Sequence, residues 1–275
     1  MPASPKVSII MGVYNCENTL HDAIDSILNQ TFQDWEFIIC DDCSTDGTYQ
    51  ILEEYKQQYP NKFIILSNSQ NSHLAASLNH CLQYASGEYI ARMDGDDLSV
   101  PCRLEKLSSF LDAHQEYQVV GSQMIMFDEK GDIGVKEIQE FPDKYTMRKK
   151  TPFTHATIMM RKYAYDALNG YCVCTETRRC EDAELWFRFF EKGFSGCNLQ
   201  EPLYKVREDQ KAFRRRRLRY GIDLLKVCWK GFRMLNYPFY YYIYLIKPLI
   251  SSIMPAFIMK TYHELRARSV GRKNL

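Results

Sequence analysis

Four short apolar runs, at residues 6–13, 35–40, 63–66 and 88–92, alternate with longer stretches whose apolar positions recur at helical spacing. In the first of these stretches, residues 18–30, the repeat is Leu20, Ala23, Ile24, Ile27 and Leu28, the stripe of an amphipathic helix. The second is opened by turn and capping residues at 44–48 and continues through Tyr59, and the third covers 74–85. Uninterrupted apolar runs of this length are what strands buried on both faces require. The β-α-β-α-β-α-β alternation therefore predicts an α/β fold, a mainly parallel sheet covered by helices on both faces. Beyond Pro101 the pattern predicts a helix to about His114, a strand at 119–127, a glycine-containing loop at 128–134 and a further strand at 154–160. A last helix at 180–192 has the apolar face Leu185, Trp186, Phe189 and Phe190.

In parallel sheets ligands bind beyond the carboxyl ends of the strands. Three of the predicted strands end in chemistry-bearing residues: Tyr14 after the first, Asp41 and Asp42 after the second, and Asp94, Asp96 and Asp97 after the fourth. Three acids within four residues repel one another unless a cation sits among them. Hard oxygen ligands on a tight turn suit Mg²⁺ or Mn²⁺, above all an ion shared with a substrate's phosphates. A solvated acidic loop is the alternative reading of the cluster taken alone. Glu181 and Asp182 begin the last helix, where acids also complement the helix dipole without any further role.

Composition is that of a globular chain: 275 residues, 45% hydrophobic and 25% charged. The net charge of +1 hides an asymmetry, since 17 Lys/Arg face only 4 Asp/Glu from Lys205 onward. Ten cysteines without a framework, and an N-terminus that enters a strand with no apolar leader, predict a reducing cytosol. Cys40 and Cys43 have redox-motif spacing, but the two acids between them raise thiol pKa values. Cys172, Cys174, Cys180 and Cys197 lack the paired spacing of a structural zinc site.

The basic end is aromatic as well. Phe213-Arg-Arg-Arg-Arg-Leu-Arg-Tyr220 opens a predicted helix through Ile222, Leu225, Trp229 and Phe232. Residues 237–244 and 249–259 are apolar but broken by Pro238, Lys247, Pro248 and Pro255, too short to span a bilayer. Basic residues beside Tyr, Trp and Phe have the composition of an interfacial membrane anchor, and a basic lid packed on the rest of the chain is the competing reading. Nothing resembles a nucleic-acid-binding module.

Several segments, in order, resemble the family 2 glycosyltransferases: V-S-I-I-M-G-V-Y-N-C-E from Val7, I-L-N-Q-T-F-Q-D-W-E-F-I-I-C-D-D-C-S-T-D-G-T from Ile27, Asn71 with A-A-S-L-N at 75–79, G-E-Y-I-A-R-M-D-G-D-D-L-S-V-P-C-R-L-E-K from Gly87, and E-D-A-E-L-W-F-R from Glu181. The resemblance covers roughly residues 6–207 and implies an inverting enzyme of GT-A fold. By position it implies that Val13 and Tyr14 line the pocket for the base, that Asp42 accepts from the pyrimidine N–H, and that Asn71 belongs to the same donor site. Asp94 then binds the ribose, Asp96 holds the divalent ion, and Asp182 is the catalytic base. Gly12 stands where the family commonly has proline or threonine, and reads as a looser turn. The metal-completing histidine of many relatives is missing from Tyr204-Lys205-Val206-Arg207, which leaves either an ion with fewer protein ligands or Arg207 on the diphosphate. His155 is the nearest other polar group, with a satisfied core histidine as its alternative.

The expected organisation is a catalytic domain at 1–208, with a nucleotide-binding half at 1–100 and an acceptor-binding half at 101–208, followed by a membrane-association region at 209–275. The expected reaction moves a sugar from a nucleotide-diphosphate sugar, a UDP-sugar, to a hydroxyl of a lipid-linked glycan in O-antigen or capsule biosynthesis, with Mn²⁺ or Mg²⁺, on the anionic inner face of the cell membrane. A protein or soluble acceptor, or an inactive nucleotide-sugar-binding scaffold, are the rival readings.

Overall fold

The computed structural model describes residues 4–208 and 218–248. The predicted Arg214–217 run and the apolar stretch at 249–259 lie outside the described residues.

The first half is the parallel layer that the pattern demands. β1 (Val7–Val13) lies between β2 (Trp35–Asp41) and β4 (Tyr89–Arg92), with β3 (Phe63–Ser67) outside β2, all in parallel register. Alternate residues serve opposite faces, which is why the runs are apolar without a break. Ile9, Met11, Phe37 and Ile39 pack with α1 (Leu20–Leu28), α2 (Thr48–Gln58) and α4 (Arg103–Ala113). Ile10, Ile38 and Ile90 pack on the other face with α3 (His73–Tyr84), α5 (Lys162–Ala167) and α6 (Glu181–Glu191). Gly12 is no turn residue. It pairs with Cys40 inside β1, and a Cβ there would stand 3.0 Å from Leu74 Cδ1, so its lack of a side chain lets α3 close on the sheet.

The second half is antiparallel or mixed, and here the pattern misleads. The predicted strand at 154–160 is instead a 3-10 turn (His155–Thr157), closed by the Thr157 hydroxyl on Thr154 O, followed by the short β8 (Met159–Arg161). β8 joins β4 to β6 (Val119–Asp128), antiparallel to both. The predicted loop at 128–134 is half strand: the chain turns at Gly131, with φ +120°, and returns as β7 (Gly131–Lys136) against β6. β9 (Gly196–Arg207) was not predicted, because Asn198, Gln200, Glu201 and Pro202 interrupt its apolar pattern. Pro202, which has no N–H to donate, falls where the β6–β9 register shifts. β9 lies parallel to β6 and carries the two-residue β5 (Leu98–Ser99) on its far edge.

α7 (Leu218–Met234) lies across α6. Val227, Phe232 and Leu235 form a separate apolar cluster with Phe187 of α6 and Cys180 just before it. The crossing is close because of Gly231, where a Cβ would meet the Phe187 ring at 2.2 Å. A 3-10 segment (Phe239–Leu245) follows and rests on residues 144–149, through the Tyr237 hydroxyl on Lys144 O and Arg148 over the Tyr241 ring. No helix among the described residues is long and apolar enough to cross a membrane.

Candidate active site

The tips of β1 and β2 are tied by Asp42 N–H donating to Val13 O at 2.8 Å. Val13 is buried, whereas Tyr14 stands 47% exposed beside Asn15, whose φ of +53° turns the chain away from the sheet. Asp41 and Asp42 are both buried, and they do different work. The Asp42 carboxylate accepts from Asn68 Nδ2 at 2.7 Å and from the backbone N–H groups of Ser72 and His73, each at 2.8 Å. It thereby shapes the loop that carries the exposed Asn71 and the left-handed His73. Three of its roughly four acceptor positions are filled, leaving one for a ligand. Asp41 accepts from Ser44 N–H through Oδ2, and its Oδ1 is buried with no protein partner among the described residues.

The acidic turn after β4 is locked on three sides. Gly95 fits against β1 only because it lacks a side chain, since a Cβ would lie 2.9 Å from Val13 Cγ1. Thr19 Oγ1 donates to Gly95 O at 2.8 Å. From β9, Tyr204 Oη accepts from Asp94 N–H at 3.0 Å, Arg207 N–H donates to Asp97 Oδ1 at 2.8 Å, and Arg207 Nε donates to Asp96 O at 3.0 Å. Arg207 also lies over Phe127. The base-side residues, the acidic turn and Arg207 thus form one edge.

Burial, then the charges of Asp94 and Asp96, push the Asp97 carboxyl up to about 8. Asp96 opens to solvent from the floor of the turn, and partial desolvation followed by the Asp94 charge raises it too. Crowded carboxylates of this kind are eased by a cation. Among the described residues no three His, Cys, Asp or Glu side chains converge closely enough to hold an ion by themselves. The oxygen donors therefore fit an ion that takes its remaining ligands from a bound diphosphate and water, as Mg²⁺ and Mn²⁺ commonly do.

The N-terminus of α6 carries a second acidic group, near enough for the Asp94 charge to act on Glu181. Asp182 accepts from Ala183 N–H at 2.8 Å, and burial raises its carboxyl. Burial and the neighbouring Asp182 charge push Glu181 up to about 7, and its Oε2 is buried without a partner among the described residues. Glu184 is spent on Arg188, at 2.6 Å, and Arg188 also reaches Leu168 O. Between the two acidic groups lies Arg92 of β4, fully buried and paired with Asp94. Its charge acts on Asp96 and Asp97 on one side and on Glu181 and Asp182 on the other. His155 does not join the acidic turn. Its Nε2 lies 2.7 Å from Tyr171 Oη, which is 2.9 Å from Tyr165 Oη, and burial with the nearby Arg92 keeps the imidazole neutral.

Neither Arg92 nor Tyr204 is singled out by the sequence as a site residue. A lone arginine within an otherwise apolar strand, next to three acids, is a signal that could have found Arg92. Tyr204 left none, because β9 itself was unread.

The strand tips, the acidic turn and Arg207 thus share one edge of the sheet, with Asp182 on the far side of Arg92. Residues 8–168 match the family described as glycosyl transferase family 2. A putative glycosyltransferase of Bacillus subtilis, EpsE, is 53% identical over 97% of this chain and 96% of its own. Two Escherichia coli proteins are also similar. The O-antigen biosynthesis glycosyltransferase WbnJ is 30% identical over 78% of this chain and 84% of its own. The UDP-Glc:alpha-D-GlcNAc-diphosphoundecaprenol beta-1,3-glucosyltransferase WfaP is 35% identical over 73% and 77%. Among solved structures, the mannosyltransferase PcManGT of Pyrobaculum calidifontis, in complex with GDP-Man and Mn²⁺, superposes with a TM-score of 0.64 at 17% identity, over 97% of this chain and 81% of that one. The chain belongs to glycosyl transferase family 2; it is a glycosyltransferase with homologues in cell-surface polysaccharide biosynthesis.

Proposed function

We propose that the protein is an inverting, metal-dependent transferase that moves a sugar from a UDP-sugar to a hydroxyl of a lipid-linked glycan during surface polysaccharide assembly. The observation that carries this reading is the pair of acidic groups on either side of Arg92. The first belongs to the donor. Val13 and Tyr14 line the base pocket, Asp42 accepts from the pyrimidine N–H with its remaining acceptor position, and Asn71 closes the same side. Asp94 holds the ribose, Asp96 holds Mn²⁺ or Mg²⁺, and Arg207 faces the diphosphate. Bound there, the ion neutralises the charge that develops on the departing nucleoside diphosphate.

The second acidic group belongs to the acceptor. Asp182 takes the proton from the attacking hydroxyl, and backside attack on the anomeric carbon inverts it, because no protein nucleophile intervenes. Arg92 favours the ionised form of Asp182 against the cost of its burial. A diphosphoundecaprenol-linked substrate in the name of one relative supports a lipid-linked acceptor.

Residues 1–208 are then the catalytic domain and 209–275 its attachment to the anionic inner face of the membrane. In support, the 239–246 segment leaves Phe239 85% and Ile243 71% exposed, with Tyr240 and Ile246 beside them and Lys247 adjoining. The test is a panel of nucleotide sugars with and without Mn²⁺, following release of the nucleoside diphosphate. A UDP-sugar is hydrolysed slowly and only with metal; full activity in excess chelator overturns the metal assignment. Flotation on liposomes rises with anionic lipid and falls with salt, and a protein that stays soluble at low salt overturns the membrane assignment.

A further inference from the structure

A cavity of about 200 Å³ lies between residues 147–152, α6, α7 and the 239–248 segment, outside the donor edge. Its composition is divided. Arg148, Lys149, Lys150 and Lys247 bring four cations to it, while Trp186 and Phe232 give it an aromatic wall. Among the described residues no carboxylate lines it. Lys247 Nζ donates to Lys149 O and Lys149 lies over the Tyr244 ring, but no carboxylate among the described residues neutralises the group, an arrangement complementary to an anion. Arg148 is half-buried with its guanidinium 4.5 Å over the Tyr241 ring and has no carboxylate partner among the described residues. A partly desolvated cation without a carboxylate favours an anion beside it.

Two further facts locate the cavity. It is next to the acceptor-side acid: Ala183, which follows Asp182, lines it, and so does Cys228, whose thiol is raised by burial and by the Asp182 charge. It also adjoins the exposed apolar ridge, since Tyr244, Leu245 and Lys247 line it while Phe239, Ile243 and Ile246 of the same segment face outward. An anion seated here has the base on one side and a surface suited to aliphatic chains on the other.

We infer that this cavity seats the diphosphate of the acceptor, a diphosphate ester of a long aliphatic alcohol, so that the cationic rim holds the phosphates, the lipid leaves along the 239–246 ridge and the sugar extends toward Asp182. This rests on the lipid-linked reading above and specifies where that acceptor is held. It also gives the basic, aromatic C-terminal region a role in substrate recognition besides attachment.

The experiment is calorimetric titration of the full-length protein, with UDP and Mn²⁺ saturating so that the donor site is occupied. The probes are geranyl diphosphate, inorganic diphosphate and geraniol. Geranyl diphosphate binds at least tenfold more tightly than either partial ligand, and Arg148→Gln and Lys150→Glu each weaken it at least tenfold. Lys150 is exposed, so its reversal leaves the core untouched. Equal binding of inorganic and geranyl diphosphate reduces the cavity to a simple anion site and overturns the proposal, as does equal binding of geraniol. Geranyl diphosphate that binds only when UDP is left out, or unchanged binding in both variants, places the ligand elsewhere and also overturns it. Donor hydrolysis by the wild type tests the transferase reading separately. Its absence alongside tight geranyl diphosphate binding would remove the catalytic assignment and keep the cavity.

Discussion

The two halves of the molecule hold their acids in opposite ways. On the side proposed for the donor, carboxylates sit at the ends of parallel strands and backbone contacts fix them: Asp42 N–H to Val13 O, Gly95 against Val13, Arg207 N–H to Asp97. On the side proposed for the acceptor, Glu181 and Asp182 sit at a helix N-terminus under α7, and packing between elements far apart in sequence sets their surroundings. The donor edge is held mostly by strand tips that are close in space, with Tyr204 and Arg207 of β9 reaching it from about a hundred residues away. The edge around Asp182, proposed above for the acceptor, depends instead on how α7 docks on α6.

The sharpest way to separate the halves is Asp182→Asn, which keeps size and removes the proton acceptor. Turnover should fall about 10²–10⁴-fold with UDP affinity nearly intact. Near-normal turnover in a folded variant would move the base to Glu181, because Glu184 is occupied by Arg188. The complementary change is Asp96→Asn, which should weaken donor binding and transfer together, by about 10–100-fold or more, the scale on which loss of even outer-shell metal partners acts. An Asp96→Asn enzyme with wild-type metal dependence would break the donor assignment.

Gly231→Ala tests the docking of α7. The added methyl meets the Phe187 ring, and overpacking of this kind costs about 1–3 kcal/mol. Thermal melts should drop while UDP binding persists; unchanged melts would show that the helix shifts freely over α6.

The smallest effect is the most diagnostic of burial. The folded-state carboxyl of Glu181 is raised from 4.5 to about 7, so the folded state holds this proton more tightly than the unfolded chain does. The stability this contributes is complete below about pH 4.5 and is lost as pH rises toward 7. Glu181→Gln avoids that loss, so the melting temperature of the variant relative to wild type should climb between pH 5 and pH 8, by the equivalent of about 3 kcal/mol at most. A pH-independent difference would mean that Glu181 is solvated.

Much of the parallel half, proposed above for the donor, is legible in the sequence. The unbroken apolar runs at 6–13 and 35–40 require strands buried on both faces, and the parallel topology then places whatever follows each strand on one edge. Short-range periodicity suffices there because each strand is a single run and each crossover a single helix. The acceptor half was less legible for a definite reason. β9 is polar and carries Pro202, and it becomes a strand only because β6 lies beside it. Residues 154–160 read as one strand, yet a side-chain bond from Thr157 folds half of them into a turn.

The sequence by itself determined the order of elements in the parallel layer, the clustering of acids at Asp94, Asp96 and Asp97, and the charge of the C-terminal region, all properties of neighbours along the chain. Only the tertiary structure decided what each acid has left to give. It assigned Asp42 three internal donors and left Asp41 Oδ1 open, tied Glu184 to Arg188, and put Arg92 between the two acidic groups. It also laid α7 over α6 beside Asp182 through one glycine. Burial, hydrogen-bond satisfaction and charge coupling depend on distances through space between residues tens to a hundred positions apart, and no local pattern encodes those distances.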